Sequence, residues 1–243
     1  MAQIFPRWSN QTPRHILLSI LGFGGFGIFA AYYWMSPYNT DVGYAPVQPI
    51  AYSHKLHAGD LGMDCRYCHT YVERGPHAGV PATQVCMNCH RQVRKDSPKL
   101  ELMRSAWADG KGEAPIGWKK IHVLPDFAYF DHSAHVGVGV GENRAAIGCE
   151  TCHGRIDTME VVRQVEPLSM SWCLECHSDP AKNLRPVDAM TQMGWSSDLA
   201  WREKAKQIAS TLNPPGNLSG AMKTKPDGTI ETHATAGCSG CHR

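Results

Sequence analysis

The sequence has almost no net charge, and no cysteine lies outside one repeated motif. Lysine and arginine total 24 among the 243 residues, and aspartate and glutamate total 22. A nucleic-acid-binding protein would carry a strong basic excess, so the balance argues against that class. All ten cysteines belong to C-x-x-C-H motifs. A separate disulfide framework would therefore have no cysteine of its own.

The motif occurs five times. Its thiol pairs are Cys65 and Cys68, Cys86 and Cys89, Cys149 and Cys152, Cys173 and Cys176, and Cys238 and Cys241. The histidines that follow them are His69, His90, His153, His177 and His242. C-x-x-C-H is the attachment sequence of c-type haem. The thiols form thioethers with the porphyrin, and the imidazole binds the iron from the proximal side. The repeats therefore predict five covalently bound haem c groups.

Other uses of paired cysteines account for the motif less well. A zinc knuckle needs two further ligands and no histidine directly after the pair. A redox C-x-x-C usually occurs once, near a βαβ pattern. Secreted proteins use paired cysteines as disulfides. None of these uses explains five histidines at the same position.

Composition and motif number together predict the fold class. Five haems leave little protein for an ordinary apolar core, so the porphyrins should supply much of the buried surface. The 23 glycines and 16 prolines favour loops. We expect a mainly α fold with extensive irregular loops. It would comprise one N-terminal transmembrane helix and a multihaem cytochrome c domain organised around stacked haems.

Residues 16–35, ILLSILGFGGFGIFAAYYWM, contain no charge. As a helix they would span about 30 Å, the thickness of the hydrocarbon core. A cleaved signal peptide would have a shorter apolar core and a small-residue cleavage site, whereas this run ends in bulky aromatics. We therefore expect an uncleaved signal anchor. Because Arg7 and Arg14 precede it, residues 1–15 should form a cytoplasmic tail and the haem domain should lie on the periplasmic side.

The rest of the chain divides by its motifs. Residues 36–50 contain three prolines and are predicted to be a linker. Residues 51–243 would form the extracytoplasmic pentahaem domain. An H-x-x-H pair followed by two haem motifs occurs twice, which predicts two-haem modules at about 51–95 and 121–180. The fifth haem would be held by residues 233–243. Helices are predicted at 97–109 and 197–212.

Each iron also needs a ligand on its distal face. The pairs H-x-x-H resemble the ligand pairs of small multihaem cytochromes, which implies that His54 and His132 bind the haems of the motifs at 65 and 149. His57 and His135 would bind other haems, and His122 is a fifth candidate. The further candidates are His77, His233, Met159 and Met170. If every iron has two protein ligands, none is open to substrate. We therefore predict electron transfer and no catalytic residue.

The chain resembles the pentahaem, membrane-anchored cytochrome c subunit of bacterial alternative complex III, a quinol:electron-acceptor oxidoreductase. The resemblance lies in LPDFAYFDHSAHVGVGV and GCETCHGRIDTMEVVRQVEPLSMSWCLECH, and also in TQVCMNCH and CSGCHR. It covers nearly the whole chain, with the segment GENRAAI (141–147) as a departure. The resemblance implies three partners: a polytopic quinol-binding membrane subunit, an iron–sulfur subunit and a monohaem cytochrome c. This chain would pass electrons towards a periplasmic carrier or oxidase.

Two other functions remain open. One is a self-contained, membrane-anchored multihaem quinol dehydrogenase that binds quinol near residues 36–60. The other is a multihaem terminal reductase. Such a reductase needs one iron without a distal ligand, and many replace one proximal histidine by lysine. All five motifs here end in histidine.

Overall fold

The computed structural model describes residues 6–35, 41–110, 115–138, 144–212, 223–224, 230–231 and 241–242. The chain divides into two compact units, Met1–Tyr44 and Ala45–Arg243.

The first unit consists mainly of one long helix. A short 3₁₀ turn, Arg7–Gln11, leads into α1, Thr12–Met35. The helix begins four residues before the predicted apolar run because Pro13 is tolerated in a first helical turn. The segment Trp8–Met35 is long and apolar enough to cross a membrane, and none of its residues is buried. A core helix of a soluble domain would be mostly buried, so α1 is a candidate membrane anchor or signal sequence.

The second unit is built from short helices. Its α-helices are α2 (Cys65–Cys68), α3 (Thr83–His90), α4 (Glu101–Trp107), α5 (His132–Val136), α6 (Cys149–His153), α7 (Met170–Ser178) and α8 (Leu199–Leu212). A π-helical turn covers Lys55–Asp60. The 3₁₀ turns are Pro98–Leu100, Ala108–Gly110, Ile156–Thr158, Pro180–Asn183 and Val187–Ala189. The predicted mainly helical fold is confirmed for the residues that the structure describes, whereas haem stacking stays a prediction.

Strands are few and short. In one antiparallel pair, β1 (Ala146–Ile147) lies beside β2 (Leu184–Arg185), with Ile147 opposite Leu184. In the other, β3 (Lys223–Thr224) pairs with β4 (Ile230–Glu231).

Helix α8 covers the first strand pair. The spacing of its apolar residues predicted a helix at 197–212, and the structure begins it two residues later. Asp198 accepts a hydrogen bond from the amide of Trp201 at 2.7 Å and so caps the first turn. Ala205 and Ile208 are fully buried against β1 and β2. The apolar stripe thus packs on a strand pair that the sequence did not predict.

Buried apolar residues form three small clusters in the described residues. One joins α8 to β1 and β2, a second contains Val136 and Met190, and a third contains Met87 and Met103. Cys149 packs against the second cluster and Cys86 against the third. Haem-attachment residues therefore border two of the three clusters, as expected where a prosthetic group completes the core.

Candidate haem-binding site

Short helices carry the haem-attachment motifs. In α2, α3, α6 and α7, a C-x-x-C pair lies on about one helical turn, which brings both thiols to the same side. Asp64 caps α2 by accepting from the amide of Arg66, and Ser169 caps α7 by accepting from the amide of Trp172. Of the fifth motif, the structure describes Cys241 and His242, and Cys238 lies outside the described residues.

The nine cysteines within the described ranges are all free. The same ranges contain no group of three or more His, Cys, Asp or Glu side chains arranged to hold a metal ion.

The two H-x-x-H segments have the same local geometry. In the first, the ring of Tyr52 stacks on His57 at 4.5 Å between centroids and meets His54 edge-on at 4.7 Å. In the second, Phe130 stacks on His135 at 4.4 Å and meets His132 edge-on at 4.8 Å. In both segments, an aromatic residue two positions before the first histidine thus contacts both imidazoles, and duplication of the unit stays a prediction.

Three pairs of imidazoles lie at the separation expected across one iron. The centroid distances are 6.2 Å for His57 and His90, 6.4 Å for His132 and His153, and 6.0 Å for His135 and His177. Two imidazoles that bind one metal at about 2 Å each have centroids about 6 Å apart. Each pair joins an H-x-x-H histidine to the histidine of a haem motif, so these residues fit an iron held on both faces.

Backbone carbonyls hold the Nδ1 atoms of most of these histidines. Among the motif histidines, the acceptors are Gly79 O for His69 (2.6 Å), Val93 O for His90 (3.0 Å) and Phe127 O for His242 (3.1 Å). Among the H-x-x-H histidines, they are Ser53 O for His57 (2.8 Å), Pro76 O for His132 (2.6 Å) and Asp131 O for His135 (2.7 Å). An Nδ1–H that donates to a carbonyl leaves Nε2 free to bind metal.

For His54 and His153, lowered pKa values favour the neutral imidazole, the form that binds a metal. Burial, then nearby His69 and His57, lowers the pKa of His54 to about 4. Burial, then nearby His122 and His132, lowers the pKa of His153 to about 3. His69 thus lies close enough to His54 to influence its charge, and ligation of one iron by these two residues stays a prediction.

Cysteines of different attachment motifs influence one another's pKa values. Cys86 lies close enough to raise the pKa of Cys68, after the larger effect of burial. The side chains of Cys65 and Cys149 are in hydrogen-bonding contact. Burial raises the pKa of Cys152 to about 12, with Cys176 and Cys173 as the nearby charges. Cys241 in turn is a neighbour of Cys173. Thiols of different motifs thus lie near one another, and a stacked order of the haems stays a prediction.

Each of the two predicted modules contacts the H-x-x-H segment of the other. The carbonyl of Pro76, after the first motif, accepts from Nδ1 of His132 at 2.6 Å. The carbonyl of Met159, after the third motif, accepts from the amide of Lys55 at 3.0 Å. Gly59 lies directly against the carbonyl of Asp157. These reciprocal contacts bring the segments that follow the motifs at 65 and 149 against the H-x-x-H segment of the opposite module.

The remaining ligand candidates occupy different environments. His122 lies beside Nδ1 of His153 and not opposite a motif histidine. His77 is exposed. Met159 is buried, whereas Met170 is exposed at the start of α7. His233 lies outside the described residues. Distal ligation by any of these residues stays a prediction.

A buried ion pair that the sequence did not reveal supports the third motif. Arg185 donates to Glu150 at 2.9 Å, and both side chains are largely buried. Arg185 also donates to the carbonyl of Gln192 and lies over the ring of Trp195. Glu150 accepts from the amide of Gly194. Because the two partners are 35 residues apart, no local pattern signals the pair.

No protein-family model matches this chain. The chain is 34% identical over 106 residues to a protein of Nitratidesulfovibrio vulgaris (strain Hildenborough) named "Menaquinone reductase, multiheme cytochrome c subunit". The aligned part covers 44% of this chain and 45% of that protein, so the match spans less than half of the relative's length.

Proposed function

We propose that this chain is the multihaem cytochrome c subunit of a membrane quinone oxidoreductase. The observation that carries the proposal is the set of three imidazole pairs with centroids 6.0–6.4 Å apart, each joining a motif histidine to an H-x-x-H histidine. When bound, the five haems would supply one-electron carriers between a quinone and a second redox partner.

The three histidine pairs would each hold one iron from both sides. At those haems no position would be open to a substrate. The carbonyls that hold Nδ1 orient these rings before metal binds. We therefore assign electron transfer to this chain and no bond chemistry.

The finer proposal is membership of a complex of the alternative complex III type. Helix α1 would be a single-pass anchor with residues 1–15 in the cytoplasm and the haem domain outside, since Arg7 and Arg14 precede the apolar run. The partners would be a polytopic quinol-binding subunit, an iron–sulfur subunit and a monohaem cytochrome c. In this arrangement, quinol oxidation supplies the electrons.

The relative's name supports a second direction of electron flow. That protein is named as part of a menaquinone reductase, so this chain would instead deliver electrons to a quinone. Both directions use the same axial histidines, and the partner subunits would decide between them.

The test is to purify the chain from membranes with its native partners and to follow haem absorbance. We expect quinol to reduce the haems in the complex and not in the isolated chain. Reduction of the isolated chain by quinol would favour a self-contained quinol dehydrogenase. Reoxidation of prereduced haems by added quinone, without reduction by quinol, would favour the reductase direction.

A further inference from the structure

His122 and His153 are joined directly through their rings. Nδ1 of His153 lies 3.3 Å from Nε2 of His122, and the centroids are 4.3 Å apart. The two rings are nearly perpendicular, at 86°. His122 therefore meets the edge of His153 that carries Nδ1.

This contact differs from those of the other motif histidines whose acceptors are described above. The Nδ1 atoms of His69, His90 and His242 face backbone carbonyl oxygens. His153 alone among these four faces a side chain. An imidazole acceptor can be replaced by mutation, whereas a backbone carbonyl cannot.

The geometry also determines the roles of the nitrogens. If Nε2 of His153 binds iron, Nδ1 must carry the proton and donate it to an unprotonated Nε2 of His122. His122 would then carry its own proton on Nδ1.

We propose that His122 is a positioning residue for the haem of the Cys149 motif: it accepts the Nδ1–H of His153, sets the orientation of that ligand and raises its electron donation to the iron. The proposal rests on the proposed haem attachment. A distal role for His122 on this haem is disfavoured by geometry. Its ring is too close to His153 to leave room for an iron, and His132 already lies parallel to His153 at 6.4 Å.

Under this proposal, His122 influences the reduction potential of this haem. A hydrogen bond from Nδ1–H increases the basicity of an imidazole ligand. A more basic ligand stabilises the ferric state and lowers the reduction potential. Removing the acceptor should raise the potential of one haem without removing either of its ligands.

The experiment compares two variants of the full-length, haem-loaded protein. His122→Phe keeps an aromatic ring but removes the acceptor, and His122→Gln replaces the ring by an amide whose oxygen can accept. Spectroelectrochemical titration should show one midpoint potential shifted upwards in His122→Phe and returned towards the wild-type value in His122→Gln. Electron paramagnetic resonance should show an unchanged number of low-spin haems in both. If His122→Phe does not accumulate, His122→Leu provides the same comparison.

Two results would overturn the proposal. A new high-spin haem in His122→Gln would make His122 an iron ligand, because the amide would not replace it. Identical potentials in the wild type and both variants would reduce His122 to a packing residue. The haem content of the wild type is measured separately, so a failure of haem attachment itself is distinguishable from either result.

Discussion

The rings of His132 and His153 are parallel within 5° and their centroids lie 6.4 Å apart. His132 comes from α5 and His153 from the end of α6, so tertiary packing brings them together. Each ring has its Nδ1 occupied, by Pro76 O and by His122 respectively. Both Nε2 atoms are thus left available, and we predict that they bind one iron.

Removal of His132 should expose one iron. We expect His132→Ala to convert one haem from low to high spin while the number of covalently attached haems stays the same, since the thiols and His153 are untouched. Electron paramagnetic resonance of the oxidised protein measures the conversion. His15→Ala is the matched control, because it removes a histidine in α1. A fully low-spin spectrum in His132→Ala would exclude His132 as a ligand.

A side chain at Gly59 should destabilise the protein, because Gly59 lies directly against the carbonyl of Asp157. A Cβ there would lie 2.2 Å from the carbonyl oxygen of Asp157, so the backbone would have to shift. We expect Gly59→Ala to lower the free energy of unfolding by about 1–3 kcal/mol, the usual cost of overpacking. At Gly117 an added Cβ meets nothing within 4 Å, and Gly117→Ala should change the value by less than about 0.5 kcal/mol. Urea denaturation measures both. Equal effects would contradict the contact.

The Arg185–Glu150 ion pair should contribute far more than an exposed pair. Their side chains are 7% and 15% exposed, so Arg185→Met leaves a buried carboxylate without its cation. We expect a loss of about 3–5 kcal/mol in the free energy of unfolding.

The matched control for this pair is Lys182→Met, which breaks an ion pair with Glu175 whose side chains are 48% and 72% exposed. It should cost less than about 1 kcal/mol. Similar losses in the two variants would show that Arg185 is not electrostatically important.

Because of Asp64, the free energy of unfolding should decrease at low pH. The hydrogen bond from the Arg66 side chain lowers the pKa of Asp64 to about 2, and the Arg66 amide and Thr191 hydroxyl add to the effect. Because the folded pKa lies below the unfolded value of about 4, the stabilisation is complete above about pH 4. It is lost as the pH falls through about 2.

The measurement is the difference in free energy of unfolding between the wild type and Asp64→Asn at several pH values. We expect the wild type to be more stable at pH 7 and the difference to shrink between pH 4 and pH 2. A difference that does not change with pH would mean that the carboxylate charge has no role.

Local sequence patterns predicted the features that are determined by residues close together in the chain. The C-x-x-C-H motifs identify thiols and a histidine within one helical turn, and the apolar spacing of residues 197–212 predicted α8. The resemblance of the H-x-x-H pairs to the ligand pairs of small multihaem cytochromes implied that these histidines are distal ligands, which stays a prediction. Three of them have ring centroids 6.0–6.4 Å from those of His90, His153 and His177.

What the sequence did not reveal depends on residues distant in the chain. Strand β1 lies beside β2 through only two residues on each side, too few for any alternation to be recognised. Glu150 and Arg185 are far apart in the sequence, so no local pattern predicts that their side chains form an ion pair. His122 was predicted as a distal candidate because it lies among apolar residues, whereas its contact with His153 follows from packing between residues 31 positions apart.

The central claim is that this chain carries five covalent haems. Pyridine haemochrome absorbance, divided by the concentration of the denatured full-length chain, measures their number directly. We predict five haems per chain, and four in a variant with Cys149→Ala and Cys152→Ala. Fewer than five in the wild type, or haem that can be extracted by acidic acetone, would contradict the claim.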